Sequence, residues 1–131
     1  MSELDFSALH NALTTLDEAL KRTPSQDTLI RDGCIQRFEY TYELSIRMLR
    51  RKLEEMADHA EEIQQASFRD LIRIAAEKDL LNSPIRWFDF RTKRNITSHT
   101  YNEDKAEEVF AIIPEFYQAA HNLLQRLKEK S

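Results

Sequence analysis

Hydrophobic residues recur at the helical period along most of the chain. Near the start they are spaced three and four residues apart, which predicts an amphipathic helix over about 5–22. A second, longer stripe predicts a helix over about 27–57, and Asp27 at its start is a good N-cap. The two stripes consist of Phe6, Leu9, Leu13, Leu16 and Leu20, and of Ile35, Phe38, Tyr42, Ile46, Leu49, Leu53 and Met56.

Two shorter helices are predicted in the middle of the chain. Ser67 is placed to cap a helix that extends to about residue 81. Ser83 and Pro84 have the N-cap and first-turn signature of another helix, which extends to about residue 97. The polar stretch 58–65 either frays or links the helices on its two sides.

A long final helix is predicted after Asn102, a further N-cap, and it extends to about residue 129. Pro114 is expected to interrupt and kink it, since an interior proline costs about 3 kcal/mol. The pattern therefore predicts an all-α fold, an antiparallel helical bundle of about five helices, in one domain over residues 1–131.

Composition adds mainly exclusions. The single glycine, Gly33, rules out a P-loop, a GxGxxG fingerprint and the glycine-led active site of a nucleotidyltransferase. Cys34 is the only cysteine, so we expect no disulfide framework and no cysteine zinc site. We also expect no cofactor. The net charge of −4 means that nucleic acid binding needs a local basic patch. No stretch approaches the roughly 18 to 20 apolar residues of a membrane helix, so we expect a cytoplasmic protein.

Residues 86–101 form such a basic patch. The segment contains four basic residues and one acidic residue in a chain of net charge −4. Its aromatic residues alternate with the cations, and the simplest interpretation places Trp87 and Phe90 in the core and the arginines in water.

Arg94 and His99 lie in this segment and are candidates for chemistry. On a straight helix they would be about 140° apart, so they share a site only if the helix ends between them or a second chain completes it. The low helix propensity of residues 97–102 favours an end by about Ser98. His99 and Tyr101, two residues apart in extended backbone, would then point the same way.

Two stretches of the chain resemble a known family. The run from Arg94 to His99 fits the R-N-x-x-x-H form of the RX4–6H motif of HEPN domains. Tyr101 extends it to RX4HXY, as in HepT-like toxins encoded beside minimal nucleotidyltransferases. Residues 35–44, IQRFEYTYEL, resemble the RFE-x-T-x-E-L signature of nucleotidyltransferase substrate-binding proteins. The resemblance covers almost the whole chain, including helix order and length.

The resemblance implies a homodimer that brings two copies of Arg94 and His99 into one cleft, and a metal-independent endoribonuclease. His99 would act as general base or acid at a ribose 2′-OH, and Arg94 would bind the scissile phosphate. Asn95 would orient the phosphate or cap the loop. The partner, a minimal nucleotidyltransferase antitoxin, would silence the enzyme by adding AMP units to Tyr101.

Other basic residues are candidates for binding RNA, and single-stranded RNA is the natural target because its bases and 2′-OH groups are accessible. Arg86 and Lys93, on the same predicted helix as Arg94, are predicted to contact the RNA. A second basic cluster is first interpreted as solvated surface, with an RNA track or a face for an acidic partner as alternatives. That cluster consists of Arg47, Arg50, Arg51 and Lys52.

Glu39 and Glu43 form a like-charge pair four residues apart, which should repel by a few tenths of a kcal/mol. One interpretation pairs Glu43 with Arg47 on the next turn of the same helix. The other is that one of the two carboxylates orients Arg91 or Arg94 across the bundle.

The aromatic residues of the predicted helix at 84–97 also bear on assembly. Trp87, Phe88 and Phe90 together present more apolar surface than one small bundle easily covers, which predicts a C2 dimer with this helix or its end at the interface.

Three functions remain open at this point. The first is an RNA-cleaving toxin silenced by a nucleotidyltransferase. The second is a non-catalytic subunit that binds a nucleotidyltransferase and presents its substrate. The third is a helical interaction module in which Arg94 and His99 merely satisfy a dimer interface.

Overall fold

The computed structural model describes residues 4–131, and this range contains six α-helices and one short 3₁₀ turn, with no strand. The 3₁₀ turn covers Thr97–His99. The all-α fold predicted from the sequence is confirmed. Within residues 4–131, no helix combines the length and the apolar character needed to cross a membrane. The helices are α1 (Ser7–Leu20), α2 (Thr28–Met56), α3 (Ala60–Gln64), α4 (Phe68–Glu77), α5 (Arg86–Asn95) and α6 (Glu103–Glu129).

Contacts at both ends of α2 define how the long helices run. Near its start, Arg31 binds Glu103 and Glu107 at the start of α6, at 2.5 and 3.0 Å. Near its end, Lys52 Nζ donates to the backbone carbonyl of Lys130, just after α6, at 2.6 Å. The helices α2 and α6 are therefore parallel, and α1, joined to α2 by a short loop, packs against both in the opposite direction.

The orientation of α5 follows from its ion pairs with α6. Arg86 at the start of α5 pairs with Glu115, and Lys93 near its end pairs with Glu108 at 3.6 Å. Residue numbers thus rise along α5 as they fall along α6, so α5 is antiparallel to α6 and, in consequence, to α2. The end of α5 is thereby brought to the first half of both long helices.

The core under α5 is aromatic. Phe116 of α6 lies edge-on to Phe38, Trp87 and Phe90, with ring centroids 4.9, 5.9 and 5.2 Å apart. Trp87 and Phe90 are fully buried, which confirms that they belong to the core. Edge-to-face pairs add about 0.5–1.5 kcal/mol each beyond the burial of their area.

This burial weakens the reason given for a dimer. The premise that Trp87, Phe88 and Phe90 exceed what one bundle can cover is wrong for Trp87 and Phe90, because both are fully buried within the bundle. Phe88 reaches solvent, with 37% of its surface exposed, and stacks edge-on to Phe68 at 5.5 Å. Ile85, which is 80% exposed, lies one turn away. The apolar surface of α5 is therefore smaller than the sequence predicts.

The helix predicted over 67–81 ends early, because α4 stops at Glu77. Asp79 adopts a φ of 60°, and the N–H of Leu80 donates to the carbonyl of Ala75 at 2.9 Å. This hydrogen bond closes the helix end while Leu80 still enters the core. The apolar pattern predicted the burial of Leu80 correctly, but a turn rather than a helix achieves it.

The start predicted for the next helix is also wrong. Ser83 and Pro84 form a turn, in which their carbonyls accept from the N–H groups of Arg86 and Trp87, both at 3.1 Å. Ser83 provides no side-chain cap, and α5 begins at Arg86. In the polar stretch 58–65, the chain forms the short helix α3.

The other predicted N-caps are confirmed. Asp27, Ser67 and Asn102 each accept an N–H from the first turn of α2, α4 and α6. The interruption expected at Pro114 does not occur, because α6 is continuous through this residue. Pro114 is exposed, so water can satisfy the carbonyl that loses its donor, and a bend there stays a prediction.

We expect Phe116→Ala to lower the free energy of unfolding by about 3–5 kcal/mol, since it removes the ring at the centre of the aromatic core. Phe88→Ala is the matched control, because Phe88 is partly exposed and should cost clearly less. Urea unfolding measures both. Equal losses for the two variants would contradict the assignment of Phe116 to the centre of the core.

Candidate active site

The candidate site begins where α5 ends. The helix stops at Asn95, and Thr97–His99 form a 3₁₀ turn that leads to the cap of α6 at Asn102. The hydroxyl of Thr100 stabilises this turn by donating to the carbonyl of Thr97 at 2.9 Å. The predicted helix end by Ser98 is confirmed, so the 140° offset of a straight helix does not apply to this segment.

Two carboxylates of α2 hold this helix end. Arg94 donates to the Glu43 carboxylate, and the hydroxyl of Thr97 is hydrogen-bonded to Glu39. The same hydroxyl lies 2.8 Å from the carbonyl of Arg94, which closes the end of α5. The prediction that one of these carboxylates pairs with an arginine of α5 is confirmed. The alternative is wrong: Glu43 pairs with Arg94, whereas Arg47 makes no ion pair within residues 4–131.

Arg94 remains accessible although it is paired. Its side chain is 37% exposed, and Glu43 occupies one edge of the guanidinium. The hydrogen bond from Arg94 to Glu43 raises the pKa of Arg94, against the effect of burial, so the group is a permanent cation. A guanidinium has five N–H donors, so N–H groups remain for an anion. Burial raises the pKa of the neighbouring Tyr42 to about 12, and its hydroxyl stays protonated.

His99, Asn95 and Tyr101 all face solvent. The rings of His99 and Tyr101 meet edge-on, with centroids 6.2 Å apart. The two side chains therefore lie on the same side, as predicted, although through a 3₁₀ turn rather than extended backbone. Tyr101 is 87% exposed, and its hydroxyl is open to a macromolecular partner.

Arg91, named with Arg94 as the arginine that a carboxylate of α2 would orient, makes a different contact. Its guanidinium lies over the ring of Phe68, 4.6 Å from the ring centroid. Such a cation–π contact restricts the side chain without neutralising its charge.

Arg86 and Lys93, the two cations predicted to bind RNA, lie at the contact with α6. They pair with Glu115 and Glu108 and hold α5 against that helix. The structure does not place them in a groove with Arg94. Binding of RNA by these two residues stays a prediction.

The second basic cluster separates into different roles. Lys52 is 2% exposed, so the interpretation as solvated surface is wrong for this residue. Its ammonium binds the Glu55 carboxylate at 3.0 Å as well as the end of α6. Arg50 donates to the carbonyl of Ile63 at 2.6 Å and ties α3 to α2. Arg47 and Arg51 are exposed.

A groove between α2 and α5 joins the two basic segments. Its volume is about 590 Å³, and it is open to solvent. We call it the arginine groove, because five arginines line it: Arg47, Arg50, Arg51, Arg91 and Arg94. This connection was not predicted from the sequence. The repeat of Glu43, Arg47 and Arg51 at every fourth position could have indicated it, since such residues share one helix face.

Metal ligands are not gathered at this site. Among residues 4–131, no three His, Cys, Asp or Glu side chains converge to hold a metal ion.

Comparison with known proteins gives a consistent assignment. Residues 4–129 match the family described as nucleotidyltransferase substrate binding protein like. The chain is 41% identical over 106 residues to the probable ribonuclease HepT of Haemophilus influenzae, a match that spans 81% of this chain and 72% of that protein.

Solved structures give the same picture. The fold is similar to that of HI0074 from Haemophilus influenzae, with a TM-score of 0.90 and 31% identity over 95% of this chain and 99% of the other. That structure is said to reveal the fold of a substrate binding domain of a nucleotidyltransferase. A protein of Thermus thermophilus has a TM-score of 0.78 and 34% identity, over 91% of this chain and 98% of its own. The chain belongs to the HepT-like family of nucleotidyltransferase substrate-binding proteins.

Proposed function

We propose that this protein is a HEPN-type toxin, a metal-independent endoribonuclease that cleaves single-stranded RNA with Arg94 and His99. One observation carries the proposal. Arg94 is fixed by Glu43 at the end of α5, and His99, five residues later in the 3₁₀ turn, is exposed to solvent after the helix has ended. The 41% identical relative named probable ribonuclease HepT supports the same activity.

The chemistry needs only groups that these residues supply. The ribose 2′-oxygen attacks the adjacent phosphorus, the bond to the 5′-oxygen breaks, and a 2′,3′-cyclic phosphate forms. His99 accepts the proton of the 2′-OH, and a second His99 or water returns one to the 5′-oxygen. Arg94 donates to the phosphate oxygens, where charge grows in the transition state. Asn95, exposed on the last turn of α5, orients the phosphate.

The proposed enzyme is a homodimer. A second protomer would bring two copies of Arg94 and His99 to one cleft and would supply both a base and an acid. Ile85, just before α5, and Phe88 of α5 are exposed apolar residues that such an interface can cover.

We further propose that a minimal nucleotidyltransferase antitoxin silences the enzyme by transferring AMP to Tyr101. The exposure of the Tyr101 side chain and its edge-on contact with His99 support this step. The phenolic hydroxyl gives its proton to water, its oxygen attacks the α-phosphorus of ATP, pyrophosphate leaves, and a phosphodiester forms. Its negative charge then competes with RNA for the cations around His99.

A second candidate is a non-catalytic subunit that presents substrate to a separate nucleotidyltransferase. The description of HI0074, which concerns a substrate binding domain, favours it. In that case Arg94 and the arginine groove bind the substrate, and His99 performs no chemistry. The two candidates differ in whether the purified chain cleaves RNA by itself.

We expect His99→Ala to lower cleavage of a labelled single-stranded RNA by about a hundredfold or more, since it removes the proton-transfer group. His10→Ala is the matched control, because His10 is also exposed and lies on α1. Cleavage is measured in the presence of a chelator, with circular dichroism to check folding. Equal cleavage by both variants would remove His99 from the chemistry, and no cleavage by the chain of natural sequence would favour the second candidate.

Tyr101→Phe removes the acceptor hydroxyl and leaves the ring that contacts His99. We expect cleavage to persist and silencing by the co-expressed nucleotidyltransferase to fail. Mass spectrometry of the two purified proteins should find added AMP on the protein with Tyr101 and none on the Tyr101→Phe variant. AMP on the variant would place the modification elsewhere.

Light scattering should give the mass of a dimer at micromolar concentration. Phe88→Glu should shift the equilibrium to monomer without loss of helicity, because it adds a charge to the apolar surface of α5. Asn11→Glu, on the exposed face of α1, adds the same single negative charge away from α5 and serves as the control. If the protein of natural sequence is a monomer, a cleft that contains two copies of Arg94 and His99 cannot form, and this part of the proposal is wrong.

A further inference from the structure

We infer that Arg47 and Arg51 of α2 form a binding track for the phosphates of single-stranded RNA that flank the one held by Arg94. The inference rests on the proposed function, in that it extends the substrate site along the arginine groove. It assigns a role to two residues that the proposed cleavage chemistry does not use.

The first argument is spacing. Glu43, which anchors Arg94, is followed by Arg47 and Arg51 at intervals of four residues on the same helix. Each interval advances about 6 Å along the helix axis, at 1.5 Å per residue, and keeps the side chains on one face. Arg94 and the two arginines therefore form a row of cations along α2, suited to a ligand that carries charge at regular intervals.

The second argument is availability. Arg47 and Arg51 are exposed, and neither makes a hydrogen bond or ion pair to another side chain in residues 4–131. Arg50 is committed to the carbonyl of Ile63, and Arg86 is neutralised by Glu115. Among the arginines of α2 that line the groove, Arg47 and Arg51 are thus the ones left to meet an external anion.

The third argument is charge. The groove has five arginines against two acidic residues, Glu43 and Glu54, whereas the whole chain has a net charge of −4. A concentration of positive charge on an acidic protein attracts polyanions to that surface specifically. Since Glu43 is paired with Arg94, the unpaired charge lies on the other arginines.

The shape of the groove favours a polymer over a small molecule. It is open to solvent, with Tyr42 and Ile46 between the arginines. An open groove lets a chain pass along it, and guanidinium planes can stack on unpaired bases while contacting phosphates. We expect binding with little preference for sequence, because contacts to phosphates do not read the base edges.

The test measures binding separately from cleavage. A short labelled single-stranded RNA of mixed sequence is titrated by fluorescence anisotropy against protein in the His99→Ala background, at several salt concentrations. Arg47→Ala and Arg51→Ala should each weaken binding about two- to fivefold. Each should also lower the slope of log K against log salt by about 0.7, the value for one phosphate contact on a single strand.

Two controls define the result. Arg22→Ala removes an equal charge from the exposed turn after α1 and should change neither affinity nor slope. Arg47→Lys keeps the charge and should keep the slope. Because Arg47 and Arg51 are exposed, melting temperatures of the variants should match that of the background protein.

Unchanged affinity and slope in Arg47→Ala and Arg51→Ala would overturn the track, as would a failure of the background protein to bind RNA. Displacement of the RNA by AMP at an equal concentration of phosphate would also overturn it, in favour of a pocket for one nucleotide. If the chain of natural sequence cleaves RNA while these variants bind RNA normally, the binding track is wrong and the proposed ribonuclease activity is supported. If the chain of natural sequence does not cleave RNA while these variants bind RNA weakly, the binding track is supported and the proposed ribonuclease activity is wrong.

Discussion

Two carboxylates on one face of α2 fix the geometry on which the candidate site depends. Glu43 accepts from Arg94, and Glu39 is hydrogen-bonded to Thr97, so the last turn of α5 and the first residue of the 3₁₀ turn are both tied to the same helix. Within residues 4–131, these contacts place Arg94 at the edge of the arginine groove. They also let the chain leave the helix before His99, which a continuous helix would carry to another side.

The basic residues of the chain have two roles: some stabilise the bundle, and others face solvent in the arginine groove. Arg31 and Lys52 lock the two ends of α2 to the two ends of α6, and Arg86 and Lys93 pair with acidic residues of α6. Those cations stabilise the bundle. The arginines that line the groove on the other side of α5 lie where an external anion can reach them.

Periodicity and capping residues predicted most of the fold, because burial of apolar stripes determines where long helices form. They failed at Leu80, where a turn achieves the same burial, and at Ser83, whose cap signature is used in a turn. The pairing of Glu43 with Arg94 was foreseen as one of two alternatives. The burial of Lys52 was not, since it depends on a carbonyl 78 residues away in the chain. The arginine groove likewise arises only when α5 packs on α2.

A double-mutant cycle between Glu39 and Thr97 tests most directly whether the carboxylates of α2 hold the end of α5. Urea unfolding is measured for Glu39→Gln, Thr97→Val and the double variant, with Thr92→Val as the control for a hydroxyl that bonds only to its own helix. We expect a coupling energy of about 1–3 kcal/mol, as for a hydrogen bond to a charged group, and little loss for Thr92→Val. A coupling near zero would mean that Glu39 does not hold the chain after α5 through Thr97, and it would contradict the account of two carboxylates acting together.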